Sequence, residues 1–226
     1  PLARDTTGDL FHLDGGNIAT YQRMIHHMDE GIGQVVDTLR DCDLLSQTLI
    51  IFTSDNGGER FSDNWPLVGG KMDLTEGGIR VPWIVSWPGT LAGGQVSAQH
   101  CMTMDWTATI LDLAGYGVPA ELDGLSMVHL LNTPERTVPR PLFWRMNHRG
   151  QRAHREGDWK YLRVDGNDYL FDLAGDARER ANLAARQPQR LAAMRQAWEA
   201  WNATLPPIPE DASVSLGFSV RDMPQR

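Results

Sequence analysis

Asp55 and Asn56 place a carboxylate and an amide oxygen side by side, directly after the run Thr48-Leu49-Ile50-Ile51-Phe52-Thr53 and before Gly57-Gly58. These are the hard oxygen donors that Ca²⁺ or Mg²⁺ prefers, and the two glycines let the backbone turn tightly around an ion. Taken alone, such a cluster is an ordinary turn. It is not alone, because Gly69-Gly70-Lys71 and Thr75-Glu76-Gly77-Gly78-Ile79-Arg80 follow before the next apolar run. A glycine-rich, charge-bearing loop between two strands of one sheet edge usually carries function.

The elements that must position these residues are readable from periodicity. Ile18, Tyr21, Ile25, Met28, Ile32, Val35, Val36 and Leu39 recur every three or four residues, which predicts a helix capped by Asn17 and ending near Arg40. Residues 48–53 and Pro82-Trp83-Ile84-Val85-Ser86-Trp87 are short apolar runs, expected as parallel-sheet strands covered by helices. Open α/β sheets bind ligands at the carboxyl ends of such strands, where Asp55 and Asn56 fall. Met104 to Ala114 reads as a helix ended by Gly115.

Past Asn132 the texture changes to short segments around 142–145, 152–155, 159–163 and 169–172, broken by Gly150, Gly157 and Asp165-Gly166-Asn167. That is an antiparallel meander, followed by a helix from Pro188 to Asn202 that packs Leu191, Met194, Ala197, Trp198 and Trp201 on it. The expected division is an α/β unit over 1–131, a small-sheet unit over 132–205 and a tail over 206–226.

Composition sets the limits. The 226 residues are 41% apolar and 22% charged, which excludes wholesale disorder. A net charge of −8 argues against a nucleic-acid partner. No apolar run approaches the roughly 20 residues that cross a bilayer, so no membrane role is expected. Cys42 and Cys101 are too few for a disulfide framework and leave the compartment open.

The order Ser54-Asp55-Asn56-Gly57-Gly58, Gly69-Gly70-Lys71 and Glu76-Gly77-Gly78-Ile79-Arg80-Val81-Pro82 resembles the second half of the formylglycine-dependent sulfatases, within the alkaline phosphatase superfamily. Further landmarks stand in sequence: Asp29 and Gly33 in the first helix, Met104-Asp105-Trp106, Leu122-Asp123-Gly124-Leu125-Ser126, Gly157-Asp158-Trp159-Lys160-Tyr161 and Leu170-Phe171-Asp172-Leu173. The resemblance runs from about residue 17 to 185. It implies an α/β, alkaline-phosphatase-like sandwich with a small C-terminal antiparallel sheet and helix. It also implies sulfate-ester hydrolysis, with Asp55 and Asn56 as Ca²⁺ ligands and Lys71 contacting a sulfate oxygen and the ester oxygen. A divalent ion and an ammonium suit that task, since the sulfate oxygens gather charge as the S–O bond breaks. The implied substrate is a small sulfate ester or a sulfated sugar.

The family's formylglycine arises in a Cys/Ser-x-Pro-x-Arg motif, which this sequence lacks. Two side-chain ligands also fall short of the six to eight oxygens that Ca²⁺ takes. The expectation is therefore a carboxyl-terminal portion of a sulfatase-like protein, inactive alone and self-associating through an uncovered half-sheet. A phosphodiesterase or phosphonate monoester hydrolase, and a non-catalytic binding module, stay open as alternatives.

Other polar residues read as structural. Glu76 and Arg80 are expected to pair and fix the loop under Lys71. His26 and His27 read as surface or packing, His12 receives no role, and His148-Arg149 reads as a surface turn. Trp83, Trp87, Trp106 and Trp198 read as core packing.

Overall fold

Asn17 starts the first helix as a true cap: its side-chain oxygen accepts the Thr20 N–H at 3.0 Å. The computed structural model describes residues 17–59, 61–209 and 212. His12 and most of the expected tail lie outside the described residues. The elements in chain order are α1 (Ile18–Asp41), β1 (Ile50–Thr53), α2 (Glu76–Ile79), β2 (Trp83–Ser86), α3 (Met104–Leu113) and α4 (Val128–Leu131). There follow β3 (Pro141–Met146), β4 (Gln151–Glu156), β5 (Trp159–Val164), β6 (Asn167–Asp172) and α5 (Pro188–Asn202).

The apolar stripe of α1 is present but uncovered: none of its residues is buried, and Ile25, Met28 and Val35 are exposed. His26 and His27 are exposed with it, His26 lying 3.4 Å from Glu30. Among the described residues no helix is long and apolar enough to cross a membrane.

The direction of the first sheet corrects the sequence reading. β1 and β2 pair antiparallel, Ile51 opposite Val85 and Thr53 opposite Trp83, and not as parallel strands. Apolar composition reports burial, not strand direction, so it could not separate the two. Cover is also partial, with Ile84 57% exposed. Trp83 stacks on the buried Trp106 with ring centroids 4.8 Å apart, and half-buried Trp87 donates to the Ser46 carbonyl at 3.1 Å.

The meander is as expected: β3-β4-β5-β6, antiparallel throughout. Asp165 and Gly166 connect β5 to β6 with φ of 49° and 81°, the paired left-handed conformation of a two-residue hairpin turn. Arg149, in the β3–β4 connection, pairs with Asp165 at 2.5 Å.

Alternation along these strands builds two faces. Tyr161 and Leu170 pack with Met194 and Trp198 of α5, and the Trp198 indole N–H donates to the Trp144 carbonyl at 2.8 Å. The opposite face carries Ala153, Leu162 and Phe171 against Leu74, which comes from the glycine-rich loop before β2. Fully burying a side chain of this size is worth about 1.5–3 kcal/mol, so the small sheet has a core of its own on each side. Lys160 and Arg155 are cross-strand neighbours, one step from the Leu162–Ala153 pair on the same face, and so reach the same loop.

Candidate functional site

β1 ends at Thr53, and the chain leaves it through Asp55 and Asn56, the first exposed and the second half-buried. The turn is tied internally by the Ser54 hydroxyl, which donates to the Asn56 carbonyl at 2.8 Å. Gly57 then donates its N–H to the Gly78 carbonyl at 2.8 Å, and the Gly58 carbonyl accepts the Lys71 N–H at 3.0 Å. Lys71 is thereby held by its own backbone two residues beyond Asn56.

The side chain of Asn64 staples the same two strands of the loop. Its amide donates to the Gly58 carbonyl at 3.2 Å and the Gly69 carbonyl at 2.9 Å, and its oxygen accepts the Gly58 N–H at 3.3 Å. Buried Gln151, at the start of β4, fixes the far side of Lys71: it donates to the Met72 carbonyl at 2.8 Å and accepts the Leu74 N–H at 2.9 Å. Met72 adopts a left-handed φ of 71°, a conformation that costs a non-glycine residue of order 1–3 kcal/mol and that these bonds sustain.

The Lys71 ammonium lies 3.3 Å from Glu59, both side chains being about two-fifths exposed at 43% and 40%. It lines an open cleft of about 670 Å³ with Glu59, Asp63, Asn64, Trp65 and Asp73. An ion pair as exposed as Lys71–Glu59 is worth about 0–1 kcal/mol, so an anionic ligand can take the ammonium from Glu59 at little cost.

The donor set at Asp55 and Asn56 fits a hard divalent cation in kind, and no bond from a described residue engages the Asp55 carboxylate. In number it falls short, since among the described residues no group of three or more His, Cys, Asp or Glu gathers as a metal cluster. Asp55 and Asn56 can hold one side of an ion.

The expected Glu76–Arg80 pair is replaced by a different arrangement. Glu76 is buried at the start of α2, and its carboxylate receives Lys160 at 3.0 Å and Arg155 at 2.8 Å, whereas Arg80 is exposed at the helix end. The small sheet captures Glu76 because its alternation delivers two cations to that side. Burial pushes the Glu76 carboxyl up, but Lys160 and Arg155, with a smaller contribution from Arg80, outweigh this and hold it below its usual range. Glu179 also receives Lys160, at 2.8 Å, yet burial keeps its carboxyl above the usual range. Asn64, Gln151 and Arg155 were given no role from the sequence, and Lys160 and Glu179 stood there only as landmarks of the family resemblance. Lys160 had a signal: it occupies an inward position in Trp159-Lys160-Tyr161-Leu162, where alternation calls for an apolar residue.

The fold thus brings a carboxylate-amide turn at the end of β1 and the backbone of Lys71 to neighbouring positions, while the cleft that Lys71 lines is bounded by other residues than Asp55 and Asn56. Comparison with known proteins identifies the family. The sulfatase family model matches residues 4–116, and the model of the N-sulphoglucosamine sulphohydrolase C-terminal region matches residues 70–200. The chain belongs to the sulfatase family.

It is 36% identical to choline-sulfatase of Rhizobium meliloti (strain 1021) over 173 residues, covering 73% of this chain and 32% of that one. It is also 36% identical to N-acetylgalactosamine-6-sulfatase of Homo sapiens over 132 residues, covering 55% of this chain and 25% of that one. The chain thus spans about a quarter to a third of the length of these relatives. Among solved structures, Ps i-CgsB, crystallised in complex with k-i-k-neocarrahexaose, superposes with a TM-score of 0.73 at 29% identity, covering 85% of this chain and 45% of that one. The fold is the alkaline-phosphatase-like fold of the sulfatases, with the small antiparallel sheet and its C-terminal helix.

Proposed function

We propose that this chain supplies one side of the active site of a sulfuric ester hydrolase acting on a sulfate monoester, either a small molecule or a sulfated sugar. Membership of the sulfatase family supports this reading. The observation that carries it is the frame of hydrogen bonds that sets Lys71 against Gly58, two residues from Asn56.

Asp55 and Asn56 are the Ca²⁺ ligands that this chain contributes, and the bound ion would neutralise charge building on the sulfate oxygens. Lys71 leaves Glu59 and donates to a sulfate oxygen and the bridging ester oxygen, stabilising the alkoxide as it departs. The sequence holds no Cys/Ser-x-Pro-x-Arg motif, so the formylglycine nucleophile and the remaining ligands are contributed from outside these residues. Residues 1–131 belong to the sulfatase α/β domain, and 132–205 form the small-sheet unit. The uncovered apolar stripe of α1 supports self-association of the isolated chain, which size-exclusion chromatography reads directly.

The test is sulfate release from 4-nitrophenyl sulfate by the full-length protein. Lys71→Ala is expected to lower kcat/KM by about 10²–10³, the usual loss for one preorganised oxyanion donor. Unchanged turnover would remove Lys71 from the mechanism.

A further inference from the structure

Lys160 is fully buried on β5, and its ammonium bridges Glu76 Oε1 at 3.0 Å and Glu179 Oε1 at 2.8 Å. A buried ammonium is costly unless well paired, and an apolar residue would satisfy the alternation of β5 without that cost. The bonds of this cluster lead toward the Lys71 loop. Glu76 opens α2, its other carboxylate oxygen accepts Arg155 at 2.8 Å, and its N–H donates to Glu179 Oε2 at 2.7 Å. From α2 the series continues. Gly77 donates to the Val68 carbonyl at 2.8 Å, the Gly78 carbonyl accepts Gly57 at 2.8 Å, and the Gly58 carbonyl accepts Lys71 at 3.0 Å. An unbroken path of short bonds runs from the small sheet to the residue after Asn56 and to Lys71.

We propose that Lys160 is a positioning residue: by balancing the buried charge of Glu76 and Glu179 it maintains the backbone frame that holds Lys71 beside the Asp55-Asn56 turn. The catalytic meaning of that frame rests on the sulfatase reading; the mechanical coupling does not. Two cations, Lys160 and Arg155, offset two carboxylates, Glu76 and Glu179, inside this contact. Removing Lys160 alone leaves a buried negative charge in excess, and neutralising Glu179 as well restores the balance while Arg155 keeps Glu76 paired. Burial already pushes the Glu179 carboxyl upward, so an amide is the replacement that this position accepts.

Hydrogen–deuterium exchange on the 226-residue chain tests the coupling without turnover. Lys160→Met is expected to raise exchange at Gly57, Lys71 and Gly77 at least tenfold, while amides pairing β3 with β4 stay within about twofold of wild type. Lys160→Met/Glu179→Gln should recover most of the loop protection, a rescue that loss of packing alone does not predict. An unchanged loop, an equal rise in loop and sheet, or no recovery in the double variant overturns the proposal. If Lys160→Met does not fold, Glu179→Gln alone decides: a rise confined to the loop supports the charge balance, and unchanged loop exchange overturns it. In the full-length protein, the same variants should lower kcat and recover it in parallel with exchange. A wild type without sulfate release would sink the sulfatase reading and leave the exchange result standing; intact exchange in Lys160→Met would do the reverse.

Discussion

The Gly57 N–H donates to the Gly78 carbonyl at 2.8 Å, and the two backbones meet so closely that a Cβ on Gly57 would stand 1.7 Å from the Gly77 carbonyl oxygen. This close approach is why glycine fills positions 57, 70, 77 and 78 around Lys71, whereas Gly69 also needs its left-handed φ of 79°. A Cβ on Gly77 would fall 2.4 Å from the carbonyl oxygens of both Val68 and Gly69. Gly77→Ala is therefore expected to cost about 1–3 kcal/mol in urea denaturation and to lower sulfate release by the full-length protein. Gly31→Ala is the control, because that position lies in α1 with nothing within 4 Å; it should be neutral or gain about 0.5–1 kcal/mol.

Asp105 should be among the most sensitive residues of the α/β portion. Its buried carboxylate accepts the Met102 N–H at 2.6 Å, the Leu125 N–H at 2.8 Å and the Arg140 guanidinium at 2.7 Å. Asp105→Ala leaves a half-buried arginine and two amides without this partner, at an expected cost of about 3–5 kcal/mol. The measurement is equilibrium denaturation followed by tryptophan fluorescence, since Trp106 is adjacent. A loss under about 1 kcal/mol would refute this assignment.

His154 should make the packing of α5 on the small sheet acid-sensitive. Burial holds the imidazole below its ordinary value of 6.5, only partly opposed by the bond between Nδ1 and the Met194 carbonyl at 3.0 Å. The unfolded chain then takes up this proton more readily than the folded one. Stability is full above pH 6.5 and falls as the pH drops from there toward the folded-state value. His100 shifts in the same direction, through burial and then Arg155, so His154→Phe should remove part of the dependence and not all of it. The variant is expected to start about 1–3 kcal/mol less stable at pH 8, because the Met194 carbonyl loses its partner. Its melting temperature should nevertheless fall less than wild type between pH 7.5 and about 5.5.

The two thiols should separate cleanly by reactivity. Burial, reinforced by Asp105, pushes the Cys101 thiol up to about 11, while Cys42 is exposed. At pH 8, iodoacetamide should modify Cys42 about 100-fold faster than Cys101, as peptide mass mapping would show. Equal rates would mean that the segment around Cys101 opens readily.

Much of this architecture was legible because local physics dictates it. Gly115, with φ of 77°, ends α3 as predicted, and Pro188 to Asn202 forms a helix that buries Met194 and Trp198. Asp55, Asn56 and Lys71 were proposed from type and spacing, and the bond from Lys71 to the Gly58 carbonyl brings the Lys71 backbone close to that turn. What could not be read was pairing across distance. The antiparallel setting of Phe52 on Ile84 leaves no trace in composition, and Glu76 meets Arg155 and Lys160 only through tertiary contact with the small sheet. An (i, i+4) partner such as Arg80 is visible from spacing; a partner chosen by tertiary contact is not.

The pairing of Lys160 with Glu76 and Glu179 also sets the terms for recombining parts of such enzymes. A chimera that joins the front of one sulfatase to the small sheet of another inherits its cations from one parent and its carboxylates from both. Where the graft brings an apolar residue in place of Lys160, Glu76 arrives at a seam with one counter-charge too few. Crossover points chosen between residues 80 and 155 should therefore transplant well only when the front parent carries Glu76 and the parent of the small sheet carries Lys160 and Glu179.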